Sequence, residues 1–205
     1  MVDQLDNLDL EFVNVMIDQF AHVMKDVLLL ENQLPYQVLK LLWKNDMENE
    51  LIDTMKSFLI CYRPTRNNKT TGRRPDIQEK IPNELQPPTH LLDLHRKIIL
   101  TKPNRKMRIV KFSVEHLVMP YRNIQDLKEI GITLKSSRSQ YPTDIDFSEG
   151  WFAAELTLPE IFVDDSTSAS FLNLIAYEMC PDFENDYGIC SFLVFMDSLI
   201  DHAED

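Results

Sequence analysis

Glycine is scarce in this chain, with four residues in 205. A loop that cradles phosphate needs glycines close together so that backbone amides can approach the anion. Gly72, Gly131, Gly150 and Gly188 stand far apart, which excludes a nucleotide-binding loop of that kind. Cysteine is also sparse. Cys61, Cys180 and Cys190 form an odd set without CxxC spacing, which argues against a disulfide framework and predicts reduced thiols packed as small hydrophobes. Long apolar runs are missing too. The most apolar stretch, residues 189–200, contains Asp197 and falls short of the roughly 20 residues that span a bilayer. It predicts a buried globular helix. Met1 is followed by Asp3, Asp6 and Asp9, with neither a basic n-region nor an apolar h-region. The expectation is a soluble intracellular chain without a signal peptide, in which the sequon Asn68-Lys-Thr70 carries no weight.

The patterns that carry catalysis or metal binding are absent as well. His22, His90, His95, His116 and His202 include no HExxH pair, and His90 and His95 are five apart, so they do not stack as i, i+4 ligands. No serine occupies GxSxG. Asp182, Glu184 and Asp186 alternate like the start of a calcium loop. In that register Tyr187 replaces the turn glycine and Leu193 the bidentate glutamate, so a solvated loop is expected. Asp164 and Asp165 are read as caps before a helix rather than as an acid–base pair. These readings predict no cofactor, no metal and no enzymatic activity.

What is present is an ordinary globular composition, 44% hydrophobic and 26% charged, with an unusual distribution of charge. Residues 63–111 hold 13 of the 21 basic residues and 4 of the 33 acidic ones. That segment is therefore +9, while the remainder, with 8 basic and 29 acidic residues, is −21. The run Arg96, Lys97, Lys102, Arg105, Lys106, Arg108 and Lys111 is a candidate anion patch for an anionic membrane surface or nucleic acid. No aromatic is interleaved for base stacking and no nucleic-acid motif occurs, which disfavours nucleic acid. The competing reading is that the basic segment pairs with the acidic remainder inside the fold.

Periodicity predicts an α+β chain, mainly helical. Phe12, Met16, Phe20, Val23 and Val27 share one helical face. Pro35 is placed to start a second helix, with Val38, Leu41 and Leu42 inward and Gln37, Lys40 and Lys44 outward. Leu51, Met55, Phe58 and Tyr62 mark a third. Residues 63–88, basic and rich in proline, read as a flexible loop that separates a helical part (1–62) from residues 89–205. Thr89 is the expected N-cap of a helix through Leu91, Leu92, His95 and Ile98. A helix over residues 121–130 ends at Gly131 and leads into a strand at Ile132 and Leu134. Residues 144–148 and 151–158, joined by a turn at Glu149-Gly150, predict a hairpin, so that one small antiparallel sheet lies near residues 132–158. A helix bearing Leu172, Ile175, Ala176 and Met179 follows and stops at Cys180-Pro181. The last helix carries Leu193, Met196 and Ile200.

One cluster resists the amphipathic pattern. Glu31, Asn32 and Gln33 stand between Leu30 and Leu34-Pro35, where burial is expected. They read as a polar corner in which Asn32 or Gln33 satisfies backbone groups left open between two helices.

The same segment carries a resemblance. Asp26-Val-Leu-Leu-Leu-Glu-Asn-Gln-Leu-Pro-Tyr36, followed by Val38-Leu39, resembles the hallmark of a large plant family, domain of unknown function 247 (the UPF0481 proteins). Further segments match in the same order: His90-Leu-Leu-Asp-Leu94, Leu127-Lys-Glu-Ile-Gly-Ile132, Asp146-Phe-Ser-Glu-Gly150, and Val163-Asp-Asp-Ser-Thr167 leading to Asn173-Leu-Ile-Ala-Tyr-Glu178. The resemblance implies one family domain, shortened at both ends, whose longer relatives continue to a hydrophobic membrane anchor. Some members are associated with self-incompatibility in grasses. The implied role is non-enzymatic recognition or signalling through a protein partner; the alternative is an anion-binding protein using residues 96–111.

Overall fold

The computed structural model describes residues 22, 23, 25–43, 48–62, 87–101, 123–137, 139, 141–151, 153–161, 163, 165–181 and 186–200. The chain divides into two compact units. The first comprises Met1–Glu79, Asn83–Lys97 and Phe162–Cys180; the second comprises Lys80–Pro82, Ile98–Ile161 and Pro181–Asp205.

In the first unit, helical residues 25–27 lead into a 3₁₀ turn, Leu30–Asn32. Then come α1 (Tyr36–Leu42), α2 (Glu48–Tyr62), α3 (Leu91–Ile99, whose last two residues are assigned to the second unit) and, much later in sequence, α5 (Asp165–Glu178). Pro35 sets the start of α1 from the position just before it, its carbonyl accepting the amides of Val38 and Leu39. The face of α2 is buried at Leu51, Met55 and Leu59, spacings of four that keep one stripe inward. From Leu92 to Arg96 every residue of α3 is buried, polar ones included.

Two expected faces are rotated. On α1, Leu41 is 85% exposed and Leu42 68%, with Val38 also exposed; the buried residue is Tyr36. On α5, Leu172 and Met179 are exposed, and the inward stripe is Ser170, Leu174, Tyr177 and Glu178. Half of that stripe is polar, so apolar spacing selected the wrong side. Lys44 and the residues from Phe12 to Phe20 lie outside the described residues, as do all but the last two of the 63–88 segment.

The second unit holds α4 (Ile124–Glu129), β1 (Ile132–Ser137), β2 (Asp146–Glu149), β3 (Ala154–Pro159) and α6 (Gly188–Leu199). Asn123 caps α4, its Oδ1 accepting the Asp126 amide at 2.9 Å. Gly131 ends that helix at φ +86°, a conformation that suits glycine. The sheet lies where expected, in the order β1-β3-β2. The β2–β3 hairpin is antiparallel, but β1 runs parallel to β3, so the sheet is mixed rather than wholly antiparallel. The segment between β1 and β2 lets β3 take the central position. The turn is also longer than a Glu149-Gly150 dipeptide: Glu149 still pairs with Ala154, and residues 150–153 make the loop. Helix α6 buries Ile189, Phe192 and Leu199. Among the described residues, no helix is long and apolar enough to cross a membrane.

Gly150 closes the hairpin loop by donating to the Ala153 carbonyl at 2.9 Å. A Cβ at that position would lie 2.6 Å from the same oxygen. Gly150→Ala is therefore expected to lower stability by about 1–3 kcal/mol, the usual range for forced overpacking, read as a shift in the denaturant midpoint.

Candidate functional site

Among the described residues, a dense set of polar contacts lies in the first unit, where the start of α3 meets the 30–33 corner and the end of α5. A helix begins with amides that have no acceptor within it. At α3 these amides are buried, so each requires a partner from elsewhere. The Leu92 amide donates to Gln33 Oε1 at 2.8 Å. The Asp93 amide donates to His90 Nδ1 at 3.1 Å, and Asp93 Oδ2 accepts the Thr89 amide at 2.8 Å. The His90 side chain caps the amide three residues on, while Asp93 reaches back one residue further, to Thr89 rather than to the cap's own amide. The cap of α3 is thus His90 and not Thr89.

Thr89 is used differently. Its carbonyl accepts the Tyr36 amide at 2.7 Å, and its hydroxyl shares a 3.1 Å hydrogen bond with the Tyr177 phenol. The His90 and Tyr177 rings meet edge to face, with centroids 4.7 Å apart. Burial holds His90 below its ordinary pKa; Asp93 opposes that shift and Lys97 adds to it. Burial raises the Tyr177 phenol, against the Thr89 hydrogen bond and with the help of Asp93. At neutral pH the pair is an uncharged imidazole beside an uncharged phenol.

The corner residues take unequal parts. Gln33 is the clamp: its Nε2 donates to the Val27 and Leu29 carbonyls, both at 2.8 Å, while its Oε1 holds Leu92. Asn32 is exposed and donates to the Asp26 carbonyl at 2.8 Å. Glu31 is exposed at the start of the 3₁₀ turn. From α5, Asn173 Oδ1 accepts the Leu30 amide at 2.8 Å while its Nδ2 holds Ala169 within its own helix.

Of the seven candidate anion-patch residues, the structure describes two. Arg96 Nε lies 2.7 Å from Glu178 Oε1, and Glu178 is fully buried. Lys97 Nζ lies 2.8 Å from Asp93 Oδ2. Lys102, Arg105, Lys106, Arg108 and Lys111 lie outside the described residues. Among the described residues, no group of three or more His, Cys, Asp or Glu side chains could hold a metal ion.

Beside the corner is a groove of about 320 Å³, lined by Val23, Asp26, Val27, Asn32, Gln33, Leu34, Leu39 and Leu91. Reading the sequence left out His90, Asn173, Tyr177 and Glu178 as participants. The signal for His90 was available: His90 precedes the apolar run of α3 and stands three residues before Asp93, the spacing of a cap and the amide it accepts, obscured because histidine is an uncommon cap.

The fold and its polar joint define a mainly helical α+β protein whose first unit is pinned by side-chain amides at helix ends. A model of the plant family DUF247, described as plant protein of unknown function, matches residues 4–205, and the chain belongs to that family. No curated protein and no solved structure gave a match.

Two predictions follow from the joint. Gln33→Ala strands Leu92 N and takes a donor from the Val27 and Leu29 carbonyls, the latter still accepting the Asn32 amide, and is expected to cost about 3 kcal/mol, against under about 1 kcal/mol for the exposed Asn32→Ala, both measured by urea unfolding. Glu178→Leu alone is expected to cost about 3–5 kcal/mol by leaving Arg96 buried without its carboxylate, and adding Arg96→Met should recover much of that loss.

Proposed function

We propose that this chain is a non-enzymatic recognition protein that works through protein–protein contacts. The observation that carries this reading is the exposed apolar stripe of α1. Val38, Leu41 and Leu42, at i, i+3 and i+4, fall on one face of the helix, and all three are exposed, as is Leu34 just before it. Leu34 also lines the groove, which extends the apolar surface to Leu39, Val23 and Val27. Removing such side chains from water is worth about 1.5–3 kcal/mol each when burial is complete. Contiguous exposed apolar surface of this kind marks interaction sites.

The polar joint supports the same reading from the other side. The hydrogen bonds of Gln33, Thr89, His90 and Asp93 described above run between parts of the fold, as expected of a scaffold rather than a reaction centre. Arg96 and Lys97 are engaged by Glu178 and Asp93. For these two residues that favours internal pairing over phosphate binding.

The test is proximity labelling in plant cells with the full chain, with Leu41→Glu/Leu42→Glu, and with Gln37→Glu on the same helix as control. Both variants should fold, since these positions are exposed. The expected result is a defined set of labelled proteins lost with the double variant and kept with the control. An identical set for all three would contradict the proposal.

A further inference from the structure

The cap of α3 depends on a group that changes charge near neutral pH. His90 Nδ1 accepts the Asp93 amide hydrogen at 3.1 Å, which requires an unprotonated lone pair on that nitrogen. The ring proton must then sit on Nε2. An imidazolium has no acceptor on either nitrogen. It would also set a positive charge at the positive end of the α3 dipole.

We propose that His90 is a proton-operated latch: neutral, it closes the first turn of α3, and protonated, it releases the Asp93 amide and loosens the join of α3 to α5. The geometry makes the consequence local. Thr89, adjacent to the latch, carries both the Tyr177 hydrogen bond and the bond to the Tyr36 amide. The carboxylate of Asp93 holds the Thr89 amide, so displacing residue 93 disturbs the same three segments. Gln33 grips the neighbouring Leu92 amide, which confines the motion to the turn at residues 89–93.

Among the described residues, three titratable groups act on or touch His90. Asp93 and Lys97 come from its own helix, and Tyr177 comes from α5. Asp93 attracts an imidazolium, but its carboxylate also receives the Thr89 amide and the Lys97 ammonium. Burial and Lys97 oppose protonation, and the balance is a pKa lowered from 6.5. The sign follows from linkage. With the folded value below the unfolded one, the unfolded chain binds the extra proton first. This contribution to stability is then complete above pH 6.5, shrinks as pH falls towards the folded value, and is constant below it. Within that window one proton makes the unfolding equilibrium constant rise by about tenfold per pH unit.

The test compares the full-length wild type with His90→Asn and His90→Ala between pH 7.5 and 5.0, by thermal unfolding and by amide and imidazole NMR. Asparagine caps a helix without a titrating group. The wild type should show the Nε2–H tautomer at pH 7.5, and its Asp93 amide should shift with a single midpoint below 6.5. Its melting temperature should fall with acid more steeply than that of His90→Asn, whose residual slope reports the other titrating groups. His90→Ala should be less stable than wild type at pH 7.5 and lose less on acidification. The latch is overturned if His90→Asn tracks the wild-type curve. It is equally overturned, should that variant not fold, if the wild-type ring carries its proton on Nδ1 or titrates while the Asp93 amide stays unmoved.

Discussion

An α-helix cannot satisfy its own first amides, and in the first unit those of α3 lie inside the protein, where water does not replace the missing acceptors. This need organises the segments around them. Gln33 supplies one acceptor from far away in sequence and is held in place because its amide nitrogen is fixed on two carbonyls of the turn before it. His90 supplies another from the adjoining position. A buried donor left without a partner costs about 1–3 kcal/mol, a large share of the stability of a unit this small. The 30–33 corner, the start of α3 and the end of α5 are therefore tied to one another by hydrogen bonds as well as by apolar contact.

That arrangement explains what the sequence made legible. Residues 31–33 read as a polar corner because three polar side chains interrupted an apolar run; in the structure Asn32 donates to the Asp26 carbonyl and Gln33 to that of Val27. The hairpin, the stop at Gly131 and the start of α1 at Pro35 were equally visible, since turn and helix-boundary residues mark them locally. Burial was harder to read. The apolar spacing of Val38, Leu41 and Leu42 implied an inward face, yet it is Tyr36 that α1 buries. On α5 the inward stripe includes Ser170 and Glu178, whose burial is sustained by partners distant in sequence, Arg96 in the case of Glu178. The parallel placement of β1 was hidden for a similar reason, because strand order depends on a connection and not on the strands themselves.

The charge segregation and the exposed apolar face bear on function in different ways. Two cations of the basic segment lie against carboxylates of the first unit, one of them in a pair that burial makes strong but that a matched apolar pair could replace. Exposed leucines on α1 have no such internal role. On the proposed reading, this apolar, solvent-open helix face is where a partner would dock, and it sits on a helix whose start is fixed by the Tyr36–Thr89 bond to the joint.

The claim that side-chain acceptors at the start of α3 hold the first unit together is tested most directly by hydrogen exchange at single amides. The Leu92 amide, which no carbonyl of its own helix can satisfy, is expected to exchange as slowly as that of Leu174 in the buried middle of α5, because both open only when the unit unfolds. Exchange of Leu92 at the rate of an unstructured peptide, with Leu174 still protected, would contradict it.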